Sequence, residues 1–159
     1  MLSPSAIRDA GTHALDDLVR SCGFAKAKSG CLQTVAAWYE RRDLSASELP
    51  TDPLREELLG LRGIGPETAD ILLLYVYERP VFVFDAYARR LLAAAEPGDY
   101  PAQEDARMAL APAIAESGPS VAQRGAFHAL IPEAGKRERK LGGWPRAYGK
   151  LMSGDFRLL

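Results

Sequence analysis

Leu61-Arg62-Gly63-Ile64-Gly65-Pro66-Glu67-Thr68-Ala69-Asp70, followed by an apolar helix and then by Pro80-Val81-Phe82-Val83-Phe84-Asp85, decides how this chain is read. Leu54 to Leu61 reads as one helix and the Gly-x-Gly as a hairpin. Pro66 then opens a second helix, to Tyr77, at a position where proline's fixed φ and missing N–H cost nothing. Gly63 and Gly65 permit positive φ and let a foreign backbone approach the turn. The amides that open the second helix point outward, where a phosphate can take them up. Alone, the same glycines also suit a plain turn between helices. Asp85 closes the apolar run with one acid at the start of the next helix, Ala86 to Ala95. It serves as a helix cap, as a reactive carboxylate, or as both, since capping fixes a side chain in place.

Outward from this stretch the chain reads as all helix. Thr12 is placed as an N-cap for a helix through Leu15, Leu18 and Val19 that ends at Gly23. Ala25 to Arg41 follows, with Cys31, Leu32, Val35, Ala36 and Tyr39 on one apolar face, and Ser45 to Pro53 reads as a polar turn. In the hairpin's second helix, Ala69, Leu72, Leu73 and Val76 face a core. Val81 to Phe84 reads as an extended link, since a lone strand has no partner. Helices are expected at Gln103 to Glu116 and from Ser120 towards Lys140, with Pro132 kinking the latter or starting a new one.

The 159 residues suit one domain of two helical lobes, 3–84 carrying the hairpin and 85–159 the second. No apolar run is long enough to span a membrane, and the start lacks the pattern of a secretory signal. Cys22 and Cys31 then read as reduced thiols, and the compartment as cytoplasmic. The net charge of −1 runs against phosphate binding, but positive charge gathers late, at Lys136-Arg137-Glu138-Arg139-Lys140, Arg146 and Lys150. That cluster is either a solvated helix end or a contact for phosphates.

Leu61 to Ala69, the apolar helix and Asp85 resemble the Leu-x-Gly-x-Gly-x-x-Thr-Ala and Val-Asp pattern of the helix-hairpin-helix DNA glycosylases, the endonuclease III group. Gly23-Phe24-x-x-x-Lys28 and Phe127-His128-Ala129-Leu130-Ile131 extend the resemblance over most of the chain. Within that group, Gly63 to Asp70 together with Phe127 to Lys136 is similar to the 3-methyladenine branch, Pro132 standing where an apolar residue is usual.

The resemblance implies an all-α fold that binds double-stranded DNA near the nucleoid and excises a damaged base, an alkylated purine. Asp85 would stabilise the sugar cation and position water. Arg62, Gly63, Ile64, Gly65, Glu67, Thr68 and Lys136 would contact DNA. Trp38, Tyr75, Tyr87 and Lys136 would line the base pocket, although each aromatic also fits a core or rim position, and His128 reads as a core histidine. Glu67, eighteen residues ahead of Asp85 (85 − 67), stands where lyase members carry lysine. A glutamate forms no Schiff base, so the implied enzyme is monofunctional. Two cysteines cannot hold an iron–sulfur cluster, so no cofactor is expected beyond a monovalent cation on the carbonyls of Leu59, Leu61 and Ile64. Relatives carry helices ahead of the position of Leu2. Without a counterpart the hairpin lobe would keep an open apolar face, which favours self-association, a partner chain or low stability; a start placed too late, with sequence missing upstream, is the equal alternative. The alternative is a catalytically impaired DNA-binding remnant that keeps the hairpin and lacks a full pocket.

Overall fold

The computed structural model describes residues 3–95 and 98–152, apart from the side chains of residues 139, 141 and 150–152. Among the described residues the regular structure is helical throughout, with no strand, in agreement with the all-α reading. The chain divides into two compact units, Met1–Ala69 and Asp70–Leu159, a cut that falls earlier than the boundary after residue 84.

In the first unit, α1 (Pro4–Asp9) is capped by Ser3, whose Oγ accepts from the Ala6 amide at 3.1 Å. Helix α2 (Thr12–Val19) begins one residue earlier than the cap assignment: Gly11 is the N-cap and Thr12 already lies within the helix. A 3-10 turn, Arg20–Cys22, closes on Gly23 at φ +69. Helix α3 (Ala25–Ser47) runs well past Arg41. The stretch from Ser45, expected as a turn, stays helical because Ala46 is fully buried and Arg42 donates to Ser45 Oγ at 2.9 Å. Helices α1 and α2 both pack on α3. Helix α4 (Thr51–Leu59) also starts early, since Pro53 still lies in its first turn, where proline is tolerated.

Helix α5 (Pro66–Tyr75) crosses the division between the units. It ends two residues short of Tyr77, at a turn where Glu78 takes φ +50. Val76, expected inside, is therefore half exposed, and Leu74 is buried in its place. Residues 80–85 are extended and unpaired, with Val83 and Phe84 buried.

In the second unit, α6 (Ala86–Ala95) packs against α7 (Gln103–Glu116), α8 (Val121–Arg137) and α9 (Trp144–Met152). The ranges of α6 and α7 are those read from sequence. Ser120 caps α8 through the Gln123 amide at 3.2 Å. Pro132 lies inside α8, which continues to Arg137, so it starts no new helix. Gly142 and Gly143, at φ +85 and +95, separate α9 from the preceding 3-10 turn, and α9 had no signal in the sequence reading. No helix of the described residues is long and apolar enough to cross a membrane.

Candidate functional site

The hairpin closes through the Ile64 amide, which donates to Leu61 O at 3.0 Å, while Ile64 buries its side chain and anchors the turn. Gly65 O accepts from the Ala69 amide at 2.9 Å, which makes Gly65 the N-cap of α5. The amides of Gly65, Glu67 and Thr68 meet no acceptor among the described residues. Such unclaimed donors at a helix N-terminus suit an anion. Arg62 and Glu67 are exposed beside them.

The two glycines differ. Gly63 has φ +91, and a Cβ there would stand 3.3 Å from Cys31 Cβ. Gly65 has no positive φ, which corrects the expectation for it, and a Cβ there would meet nothing within 4 Å. Its bare backbone is left open to an incoming molecule. Among the described residues, the carbonyls of Leu59 and Ile64 accept no backbone hydrogen bond, whereas Leu61 O is engaged by Ile64. The Leu59 carbonyl lies at the negative end of α4 and the Ile64 carbonyl in the turn that follows, so two of the three expected cation donors are open.

Glu57, on the helix that leads into the hairpin, holds α3. Its Oε1 accepts from Trp38 Nε1 at 2.9 Å and from Arg42 Nε at 2.7 Å, and its Oε2 accepts from Arg42 Nη2 at 2.7 Å. Arg42 first, and then the indole N–H, hold the Glu57 carboxyl down at about 2. Trp38 is only 4 % exposed. The ring takes the core position that was the alternative to a base pocket, and its polar edge is taken up by Glu57.

In the second unit, Asp85 is 8 % exposed, and its Oδ1 accepts from the Ala88 amide at 2.6 Å. The cap reading holds. No described group donates to Oδ2, so one carboxylate oxygen stays free while the other is fixed.

Tyr87, two residues on, seats its ring against α8 at Gly135, where a Cβ would fall 2.1 Å from Tyr87 Cδ1. Arg90 lays its guanidinium over the same ring, 4.7 Å from the centroid. Lys136 is next to this contact and pairs with Glu133 at 2.5 Å. That pairing raises the Lys136 pKa, with a smaller push from Tyr87. Tyr75, the last residue of α5, meets α8 elsewhere. Its hydroxyl donates to Gly125 O at 3.0 Å and meets His128 Nδ1 at 2.9 Å. Gly125 and Gly135 are ten residues apart on α8, about 15 Å of helix, so Tyr75 and Tyr87 do not share one wall. His128 is half-buried, and its partner Tyr75 is half exposed, so it sits at the rim and not in the core. The side chains of Arg139 and Lys150 in the basic C-terminal segment lie outside the described ones.

The sequence reading missed Gly135, Arg89 and Arg90. A glycine in the middle of a helix, which costs about 1 kcal/mol against alanine, was the available signal for Gly135.

No protein-family model matches the chain. It is 33 % identical over 96 residues to a Methanocaldococcus jannaschii protein provisionally named a DNA repair glycosylase, a match covering 57 % of the chain and 44 % of that relative. It is 30 % identical over 91 residues to the endonuclease III of Sulfolobus acidocaldarius, across 57 % of the chain and 40 % of the relative. A Methanothermobacter thermautotrophicus protein provisionally named an N-glycosylase/DNA lyase is 33 % identical over 82 residues, half of the chain and 26 % of that protein. The matches thus span less than half the length of these relatives. They support the likeness to the endonuclease III-like helix-hairpin-helix superfamily and do not distinguish the 3-methyladenine branch.

Proposed function

We propose that the chain excises a damaged base from double-stranded DNA by hydrolysing its N-glycosidic bond. The observation that carries this reading is the divided carboxylate of Asp85: Oδ1 is locked on the Ala88 amide and Oδ2 is left open. A carboxylate so held keeps a fixed negative charge for the sugar cation that forms as the base departs, and it orients water on the far face. The base reaches it only by leaving the stack. The open amides of Gly65, Glu67 and Thr68 grip a backbone phosphate, with Arg62 and Lys136 as further DNA contacts. A monovalent cation on the carbonyls of Leu59 and Ile64 would add positive charge facing that phosphate.

Glu67 gives the reaction its mode. It is exposed and carries no amine, so no Schiff base forms and the product is an intact strand with an abasic site. The lyase named for one relative is a property of that protein. The substrate is an alkylated purine, whose positive charge makes it a ready leaving group; Tyr87 and Lys136 border its pocket.

The test is release of free base from methylated duplex DNA by the parent and by Asp85→Asn. Asparagine caps a helix as well as aspartate does, so the variant folds while release falls by about a hundredfold or more. Strands break only after alkali. Duplex binding with no base release by the parent would sink the enzyme reading and leave the impaired DNA-binding remnant. Strand breaks without alkali would sink the monofunctional mode.

A further inference from the structure

A second basic feature lies on α6. Ala86, Arg89, Arg90 and Ala93 fall on one face of this helix and, with Asp99 and Tyr100, line a groove of about 390 Å³. Both guanidinium groups are held by neutral oxygens. Arg89 donates through Nη1 to Tyr100 O at 2.8 Å and to Pro101 O. Its Nε–H is buried and meets no acceptor. Arg90 donates from Nε to Ala86 O at 2.9 Å and rests on the Tyr87 ring. Neither arginine has a carboxylate partner among the described residues.

We infer that this groove binds a phosphate group, the backbone phosphodiester of the DNA strand presented to Asp85. Two oriented guanidinium forks left with spare donors match the planar, bidentate hydrogen bonding that phosphate oxygens offer. Carbonyls fix their geometry and supply no opposite charge, which leaves half-buried Arg89 and exposed Arg90 available to an anion. The small side chains of Ala86 and Ala93 leave the space between and beside the arginines open. Asp99 opposes binding from the loop side and reduces the net charge of the lining to one positive. So weak a field holds a lone phosphate poorly and suits one contact among several along a strand. Because Asp85 caps this same helix, a phosphate here holds the strand on the element that carries the carboxylate. The inference rests on the nucleic-acid reading above, but its test is independent of base release.

The test follows binding of a short undamaged duplex across a series of salt concentrations, in the parent, Arg90→Gln and Asp99→Asn. Alongside, inorganic phosphate is titrated while the arginine Nε–H signals are followed by NMR. Loss of one phosphate contact lowers the slope of log affinity against log salt by about one. Arg90→Gln is expected to do this while weakening binding to every duplex alike. Asp99→Asn, at an exposed residue with no hydrogen-bonded partner, is expected to tighten binding, an outcome that misfolding cannot imitate. A duplex response in both variants supports the site. Shifts of Arg89 and Arg90 with inorganic phosphate but no change in duplex slope would overturn the DNA source in favour of a free phosphate. An unchanged slope with no shifts would overturn the site altogether, while base release by the parent would still uphold the excision reading.

Discussion

Gly63 in the hairpin and Gly135 in α8 both stand where a neighbouring side chain needs room, and they do so for different reasons. Gly63 is demanded by its own backbone: φ +91 excludes most L side chains, and the contact with Cys31 at 3.3 Å is secondary. Gly135 has an ordinary helical backbone, and the demand comes entirely from the Tyr87 ring, 2.1 Å from where a Cβ would sit. The hairpin is therefore specified locally, by residues adjacent in sequence. The wall beside Asp85 is specified by the packing of α6 on α8. A local demand is legible in a motif, whereas a tertiary one leaves only an odd residue, here a glycine in mid-helix.

The sharpest way to break this contrast is Gly135→Ala. A helical alanine alone would gain up to about 1 kcal/mol, but the overlap with Tyr87 Cδ1 at 2.1 Å and Cε1 at 2.7 Å falls on one edge of the ring, with Cγ at 3.0 Å, and the ring cannot swing aside cheaply. The expected net loss is about 2 kcal/mol, read as a lower urea midpoint. In a Tyr87→Ala background the same substitution becomes neutral or stabilising. If it costs as much without the ring, the demand on Gly135 is not the one argued here.

Gly63→Ala is expected to cost about 1–2 kcal/mol through its left-handed backbone. Cys31→Ala leaves that cost in place, because it removes no backbone strain. A rescue by Cys31→Gly but not by Cys31→Ala would show that the side-chain contact dominates instead.

The same contrast separates what was legible from what was not. Pro66, the Gly-x-Gly turn, the Asp85 cap and the ranges of α6 and α7 follow from rules spanning a few residues, and the structure carries each of them. Trp38 was left open between core and pocket because no local rule reveals that Glu57, nineteen positions on, accepts its N–H. The continuation of α3 through Ser45 was missed for a like reason: burial of Ala46 overrides a polar stretch. Helix α9 depends on the glycine pair Gly142 and Gly143, which reads equally well as a tail. Asp85 was found by its place in a motif, but its free Oδ2 is a fact of geometry alone.

Glu57→Gln probes the lock between α3 and α4. The folded carboxyl, held at about 2, lies below its ordinary value of 4.5, so its charge favours the fold above that ordinary value, and the benefit fades as pH falls towards 2. The site is partly open to solvent, so the expected gap between parent and variant at pH 7 is about 1 kcal/mol. Urea unfolding should show that gap constant from neutrality to about pH 5 and shrinking below it. A gap that does not change with pH would mean that shape, and not charge, secures α3 to α4.

The smallest structural effect is expected where the motif is most suggestive. Gly65 has neither positive φ nor any atom within 4 Å of an added Cβ, so Gly65→Ala should change stability by no more than about 0.5 kcal/mol. If its bare backbone is kept for an incoming phosphate, the same methyl group will obstruct that approach and weaken duplex binding, with unfolding unchanged. Gly63→Ala should do the reverse at equal folded fraction: it costs stability, while the amides of Gly65, Glu67 and Thr68 stay free to bind. Equal losses of affinity in the two variants, measured well below both unfolding midpoints, would mean that the hairpin acts through its shape as a whole. A loss confined to Gly65→Ala assigns the contact to the N-terminus of α5.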